Sequence, residues 1–185
     1  EFADAFSIRQ RIRFNAKVLQ AVYDDRWLLT IDGDNGSATE AFDALTVCNG
    51  HYTEPRVPDI PGSDHFPASC VHSHNYRSPD GFAGMRVAIV GTASSGADLS
   101  QEIAVAAERV YWCGSEKAAR LKKTEHLKNV TSCGPIRSLI DDGRIELEDR
   151  TLIGPVDSLV FATGYHYRFR FLSEHLIQVR DNWVT

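Results

Sequence analysis

Short apolar runs broken by turn residues organise this chain. Residues 11–14 and 18–23 alternate apolar and polar positions, as half-buried strands do. Residues 27–31 form a third run, after the turn residues Asp24 and Asp25, and residues 32–36, rich in Asp and Gly, predict a turn or loop. Residues 44–48 are a fourth run that ends at Asn49 and Gly50, as a buried strand would. Pro55, Pro58 and Pro61 then precede Gly62. Proline lacks an N–H and fixes φ, so neither a helix nor a central strand is expected there, and the stretch reads as a crossover between domains.

The clearest unit follows. Residues 87–90 are continuously apolar, a buried strand, and residues 91–96 are a turn of small residues. Residues 98–108 have helical spacing, with Leu99, Ile103, Ala106 and Ala107 as the apolar stripe. Residues 110–113 are the next strand, which makes a strand–turn–helix–strand unit of a parallel sheet. Asp141, Asp142 and Gly143 separate two further runs, 136–140 and 144–147, as a β-hairpin turn does, and residues 158–162 are a last buried strand closed by Thr163 and Gly164. The predicted class is α/β: a Rossmann-like dinucleotide-binding domain with a parallel sheet, plus a partial β-rich segment of a second domain.

Composition excludes several partners. Hydrophobic residues are 43% and charged residues 24% of the 185, the balance of an ordinary globular chain. The net charge is −5 with both signs interspersed, which gives no support for a nucleic-acid or anionic-membrane partner. No apolar run is long enough to span a bilayer, so membrane association is not indicated in this segment. Cys48, Cys70, Cys113 and Cys133 are far apart and form no C-x-x-C pair, which argues against a zinc site, a disulfide scaffold or a dithiol motif.

Gly91-Thr92-Ala93-Ser94-Ser95-Gly96 has glycine at the first and last places of the dinucleotide fingerprint. The first permits the tight turn and the last permits close helix–strand packing. Ala93 replaces the middle glycine. Phosphates would sit on the helix N-terminus, with Ser94 and Ser95 as added hydroxyl donors. The glycine spacing also suits a P-loop, but Ala97 and Asp98 stand where Lys and Ser or Thr are needed. A turn that uses small residues for packing alone remains open at this level.

Three further motifs carry a resemblance. Phe66, His72 and Tyr76 have the spacing of F-x-G-x-x-x-H-x-x-x-Y/F, the identifying sequence of flavin-containing monooxygenases, with Ala68 in the glycine's place. Residues 47–58, from Val47 through Asn49 and Gly50 to Pro58, look like that family's crossover out of its FAD domain. Residues 161–165, ending in Thr163, Gly164 and Tyr165, look like its return crossover, although Arg170 then takes a place often held by proline. The resemblance runs from about Ile12 to about Leu172. It divides the chain into residues 1–50, a partial FAD-binding segment; 51–63, the crossover; 64–162, the NAD(P)H-binding domain; and 163–185, the return into the FAD domain. Nothing before Asn15 is similar to the family's own FAD fingerprint, so the chain is expected to be an internal piece, inactive in isolation.

The resemblance implies an enzyme using FAD and NADPH, in which reduced flavin captures O2 as a hydroperoxide that oxygenates a soft nucleophile, an amine nitrogen or a sulfide sulfur. The partners implied are that small molecule and O2, and the location of the parent is cytoplasmic or associated with the endoplasmic reticulum. Cofactors carry such chemistry, so no catalytic side chain is nominated. The implied cofactor-binding residues are Gly91, Ser94, Ser95 and Gly96 at the pyrophosphate, Asn49, Gly50, His72 and Tyr76 at the crossovers, and Thr163 and Gly164 near the flavin edge. A Baeyer–Villiger monooxygenase has the same plan, but its motif ends in tryptophan where Tyr76 stands; a non-catalytic dinucleotide-binding remnant is the other alternative. Coenzyme choice is set just after the second strand of such a unit. There Ser115 offers a neutral hydroxyl, Glu116 would repel a 2′-phosphate, and Lys117, with Arg120 beyond it, could attract one. A weak preference for NADPH over NADH is the expectation.

Overall fold

The computed structural model describes residues 1–115, 127–173, 175–180 and 182–184. The chain divides into two compact units, one of Glu1–His51 with His166–Thr185 and one of Tyr52–Tyr165.

The first unit is built on an antiparallel meander of β1 (Lys17–Asp24), β2 (Arg26–Gly33) and β3 (Gly36–Phe42), preceded by a one-turn helix, α1 (Phe2–Ala5). Asp25, at φ +57°, makes the tight reversal between β1 and β2. Gly33 pairs with Gly36 across the next turn. Ala21, Leu29 and Ile31 are buried from the meander, and Phe171 and Leu172 pack on them. The Ala21 N–H donates to the Phe171 carbonyl at 2.7 Å. Two expectations fail here. Residues 11–14 are not a strand; a 3-10 turn covers Arg9–Arg11, and Phe14 is exposed. Residues 44–48 form no strand, because no ladder partner lies beside them among the described residues. Strand β3 carries no strand signal in the sequence. It is polar and mostly exposed, so its place comes from pairing with β2 and not from an apolar pattern.

The second unit holds a five-stranded sheet in the order β5-β12-β6-β7-β8, all of whose ladders are parallel. Along the chain come β4 (Glu54–Pro55), β5 (Ser69–His72), β6 (Arg86–Val90), helix α2 (Ser94–Ala104), β7 (Arg109–Cys113) and β8 (Val130–Cys133). A small antiparallel sheet follows, β9 (Ile136–Leu139), β10 (Ile145–Leu147) and β11 (Leu152–Ile153), and then β12 (Ser158–Phe161) returns to the centre beside β6.

The parallel sheet has a core on each face. Helix α2 covers one, where Ala97, Leu99 and Ile103 meet Val87, Ile89, Val110 and Trp112. The antiparallel sheet contributes to the other, where Leu139, Ile145 and Leu147 meet Ala88, Leu159 and Phe161. The hairpin expected around Gly143 is present: the Ile140 N–H donates to the Arg144 carbonyl at 2.9 Å, and Gly143 has φ +84°. Helix α2 differs from its expected bounds of 98–108. It begins at Ser94, because small residues enter a first turn without an apolar stripe to announce them. It stops at Ala104, where the Asn129 amide takes up the Ala104 and Ala107 carbonyls and the Glu108 N–H turns to Met85.

Candidate dinucleotide site

β6 and α2 meet at the carboxyl edge of the parallel sheet, where β6 lies between β12 and β7. Neighbouring strands continue from here in opposite directions of the sheet order, the place where open α/β sheets bind ligands. Gly91 has φ +122°, and a Cβ on it would collide with the Ala162 carbonyl. Conformation and space both require glycine. At Gly96 a Cβ would collide with the Gly91 carbonyl and stand 3.2 Å from Trp112 Nε1. The two fingerprint glycines therefore pack against each other through the Gly91 carbonyl. That carbonyl accepts a hydrogen bond from Trp112 Nε1 at 2.8 Å, while the Gly91 N–H donates to the Cys113 carbonyl at 3.0 Å.

Ala93 caps α2 with its backbone only; no side chain accepts from the first turn, and the first turn holds no acidic residue. Ser94 and Ser95 are exposed, whereas Gly96 is buried. The first N–H groups of a helix have no acceptor within it. Together with the dipole they form an anion site. The glycine turn therefore fits a pyrophosphate: its first N–H groups have no side-chain cap, and the first turn of α2 carries no carboxylate. Ala93 in the middle place is exposed and does not block the approach. Beyond the turn, Thr92 Oγ1 and Ser115 Oγ lie 3.4 Å apart, across the ends of β6 and β7. Glu116, Lys117 and Arg120, weighed above for coenzyme choice, lie outside the described residues.

The motif residues His72 and Tyr76 are engaged internally. His72 is 5% exposed. Its Nε2 lies 3.1 Å from the Gly164 carbonyl and its Nδ1 accepts the His74 N–H at 3.0 Å. An Nδ1 that accepts while Nε2 donates defines the neutral ring. Burial accordingly lowers the His72 pKa, against the opposing pull of the Gly164 carbonyl; the charge of His74 adds to the lowering. Tyr76 donates to Glu102 Oε2 at 2.9 Å and stacks on Phe82. Burial first, then the bond to the Glu102 carboxylate, pushes its pKa up to about 12.

Thr163 and Gly164 are paired with Arg56. The Thr163 hydroxyl donates to the Arg56 carbonyl, Arg56 Nε donates to the Thr163 carbonyl at 3.1 Å, and the Arg56 N–H to the Gly164 carbonyl at 2.9 Å. Tyr165 packs edge-on to His72 and approaches Tyr52 and His74. The structure thus brings His72, Thr163 and Gly164 into one aromatic-lined cluster of the second unit. Asn49 and Gly50 belong to the first unit, where with His51, Tyr167, Phe169 and Trp183 they line a cavity of about 720 Å3.

Sequence reasoning missed Trp112, Arg56 and Glu102 as partners of the site residues. A tryptophan within an apolar strand reads as packing, and nothing in spacing reveals where its N–H points.

A parallel sheet whose glycine turn feeds an open helix N-terminus is Rossmann-like α/β, the fold class of many dinucleotide-binding domains. Residues 1–126 match the family model described as FMO-like, flavin-binding monooxygenase-like. The chain belongs to that family, whose members go with FAD and NADPH. It is 37% identical over 188 residues to the flavin-containing monooxygenase FMO GS-OX5 of Arabidopsis thaliana, which covers 100% of this chain and 41% of that protein. Among solved structures, S-allyl-L-cysteine S-oxygenase from Allium sativum superposes with a TM-score of 0.87 at 33% identity, over 99% of this chain and 43% of that one. Tmm from Pelagibacter sp. strain HTCC7211 superposes with a TM-score of 0.83 at 25% identity, over 92% of this chain and 38% of that one. The chain thus spans about two fifths of the length of the relatives it matches.

Proposed function

We propose that the whole protein is an FAD- and NADPH-dependent monooxygenase that oxygenates a soft nucleophile, a sulfide sulfur or an amine nitrogen, and that this chain supplies its nicotinamide-dinucleotide site. The observation that carries the reading is the open N-terminus of α2 above two glycines whose Cα atoms admit no side chain. When bound, NADPH and FAD would supply the reducing equivalents that activate O2.

The residues of this chain bind and orient. Gly91 and Gly96 let the backbone close on the pyrophosphate, and the N–H groups at Ser94, Ser95 and Gly96 hold it. Thr92 and Ser115, at the strand ends, offer hydroxyls to the adenosine ribose. His72 and Tyr76 act by fixing backbone: the neutral His72 ring ties β5 to Gly164, and Tyr76 ties the segment after it to α2 through Glu102. Thr163 and Gly164 shape the main chain beside the flavin; the Thr163 hydroxyl gives its proton to the Arg56 carbonyl, which leaves it only an acceptor. Asn49 and Gly50, on a cavity of suitable size for a ring system, form the flavin side of the first unit. A sulfide substrate is favoured by the S-oxygenase to which the chain is similar.

The test uses the whole protein with FAD, NADPH and a dialkyl sulfide under 18O2. The expected product is a sulfoxide carrying one labelled oxygen, formed only when a reduced nicotinamide coenzyme is supplied. NADPH oxidation that yields no oxygenated sulfide or amine would contradict the proposal.

A further inference from the structure

Beneath the glycine turn lies the indole of Trp112. It is 2% exposed and packs in the core between the sheet and α2. Its Nε1 donates to the Gly91 carbonyl at 2.8 Å and would stand 3.2 Å from a Cβ at Gly96. Indole N–H, Gly91 carbonyl and the bare Cα of Gly96 thus make one contact under the first turn of α2.

The orientation of that carbonyl bears on anion binding. Glycine moves readily between regions of positive and negative φ, so the peptide after Gly91 has little intrinsic reason to keep one orientation. Pointed inward, the carbonyl leaves the mouth of the helix to N–H groups. Pointed outward, it would set a partial negative charge where the pyrophosphate belongs. A buried carbonyl needs a donor, and the indole offers one donor in one fixed direction. Packing alone would be met by any large apolar side chain; the hydrogen bond needs the N–H.

We propose that Trp112 is a positioning residue of the dinucleotide site: its indole N–H holds the Gly91 carbonyl inward, so that the first turn of α2 presents only donors to the pyrophosphate. This rests on the reading of the glycine turn as a pyrophosphate site.

The full chain and its Trp112→Phe variant are titrated calorimetrically with NADP+ and with adenosine 2′-monophosphate, which has the adenosine end but no pyrophosphate. For the variant, NADP+ binding is expected to weaken about tenfold and adenosine 2′-monophosphate binding by less than about twofold, the loss of roughly one oriented hydrogen bond at the turn alone. Equal weakening of both ligands, or of neither, overturns the inference. If the variant does not fold, the 15N–1H indole resonance of Trp112 in the unaltered chain decides. Slow solvent exchange and a shift with NADP+ but not with adenosine 2′-monophosphate support the role; an indole that exchanges fast or ignores NADP+ overturns it. Failure of the unaltered chain to bind NADP+ at all refutes the site itself, and it is seen before any variant is compared.

Discussion

A methyl group placed on Gly96 sets helix propensity against packing. At an exposed helical position alanine is favoured over glycine by about 1 kcal/mol. Gly96 is in the first turn of α2 but is buried, and its new Cβ would run into the Gly91 carbonyl, a backbone atom that cannot rotate away. Forcing a methyl group into packed structure costs about 1–3 kcal/mol. Displacing the Gly91 carbonyl also disturbs its bond to Trp112 Nε1, worth about 1 kcal/mol net. The unfavourable terms exceed the gain, and Gly96→Ala is expected to destabilise the chain by about 1–3 kcal/mol. With a urea slope of about 1–3 kcal/mol per molar, the midpoint falls by roughly 1 M. Gly134→Ala is the control, since a Cβ there meets nothing within 4 Å; it should stay within about 0.5 kcal/mol. Urea denaturation followed by circular dichroism measures both. A Gly96→Ala chain as stable as the parent, or more stable, would refute the close contact on which the site is built.

The neutral His72 ring gives a pH dependence: its folded-state pKa is lowered from the ordinary 6.5, chiefly by burial, so below that value the unfolded chain binds a proton that the folded chain resists. Stability should be full above about pH 6.5 and fall as the pH drops towards the lowered value; His72→Gln should flatten that slope in denaturation curves taken across the window, and an unchanged slope would count against the neutral clamp. In the whole protein, Gly96→Val should abolish flavin reduction by NADPH and leave reduction by dithionite intact; normal reduction by NADPH would remove Gly96 from the site. Preference for NADPH over NADH should be below about a thousandfold, roughly 4 kcal/mol, and steady-state rates for the unaltered protein, Lys117→Ala and Glu116→Ala test both the size and the residues.

The central unit was legible because its signals are local. The apolar run of β6, the glycines of the turn and the apolar spacing of α2 each report their own conformation. What was missed depends on partners. β3, β5 and β8 present polar or half-exposed faces, and they are strands because β2, β12 and β7 offer them ladders. Residues 44–48 are the converse, an apolar run that forms no strand. The site divides in the same way. Gly91 and Gly96 declare themselves because only glycine fits them. The internal partners of His72 and Tyr76, namely Gly164 and Glu102, lie 92 and 26 residues away and are set by tertiary structure. Trp112 is the sharpest case: its ring is ordinary core, and only the direction of its N–H connects it with the turn.

At the turn between β6 and α2 the protein is expected to receive a dinucleotide. Two-dimensional amide NMR of the chain during titration with NADP+ tests it residue by residue. Saturable shifts are expected, concentrated at Gly91, Thr92, Ser94, Ser95 and Gly96, with Ser115 beside them. Shifts confined to Asn49, Gly50 and His51 at the cavity of the first unit, or no shifts at millimolar nucleotide, would contradict it.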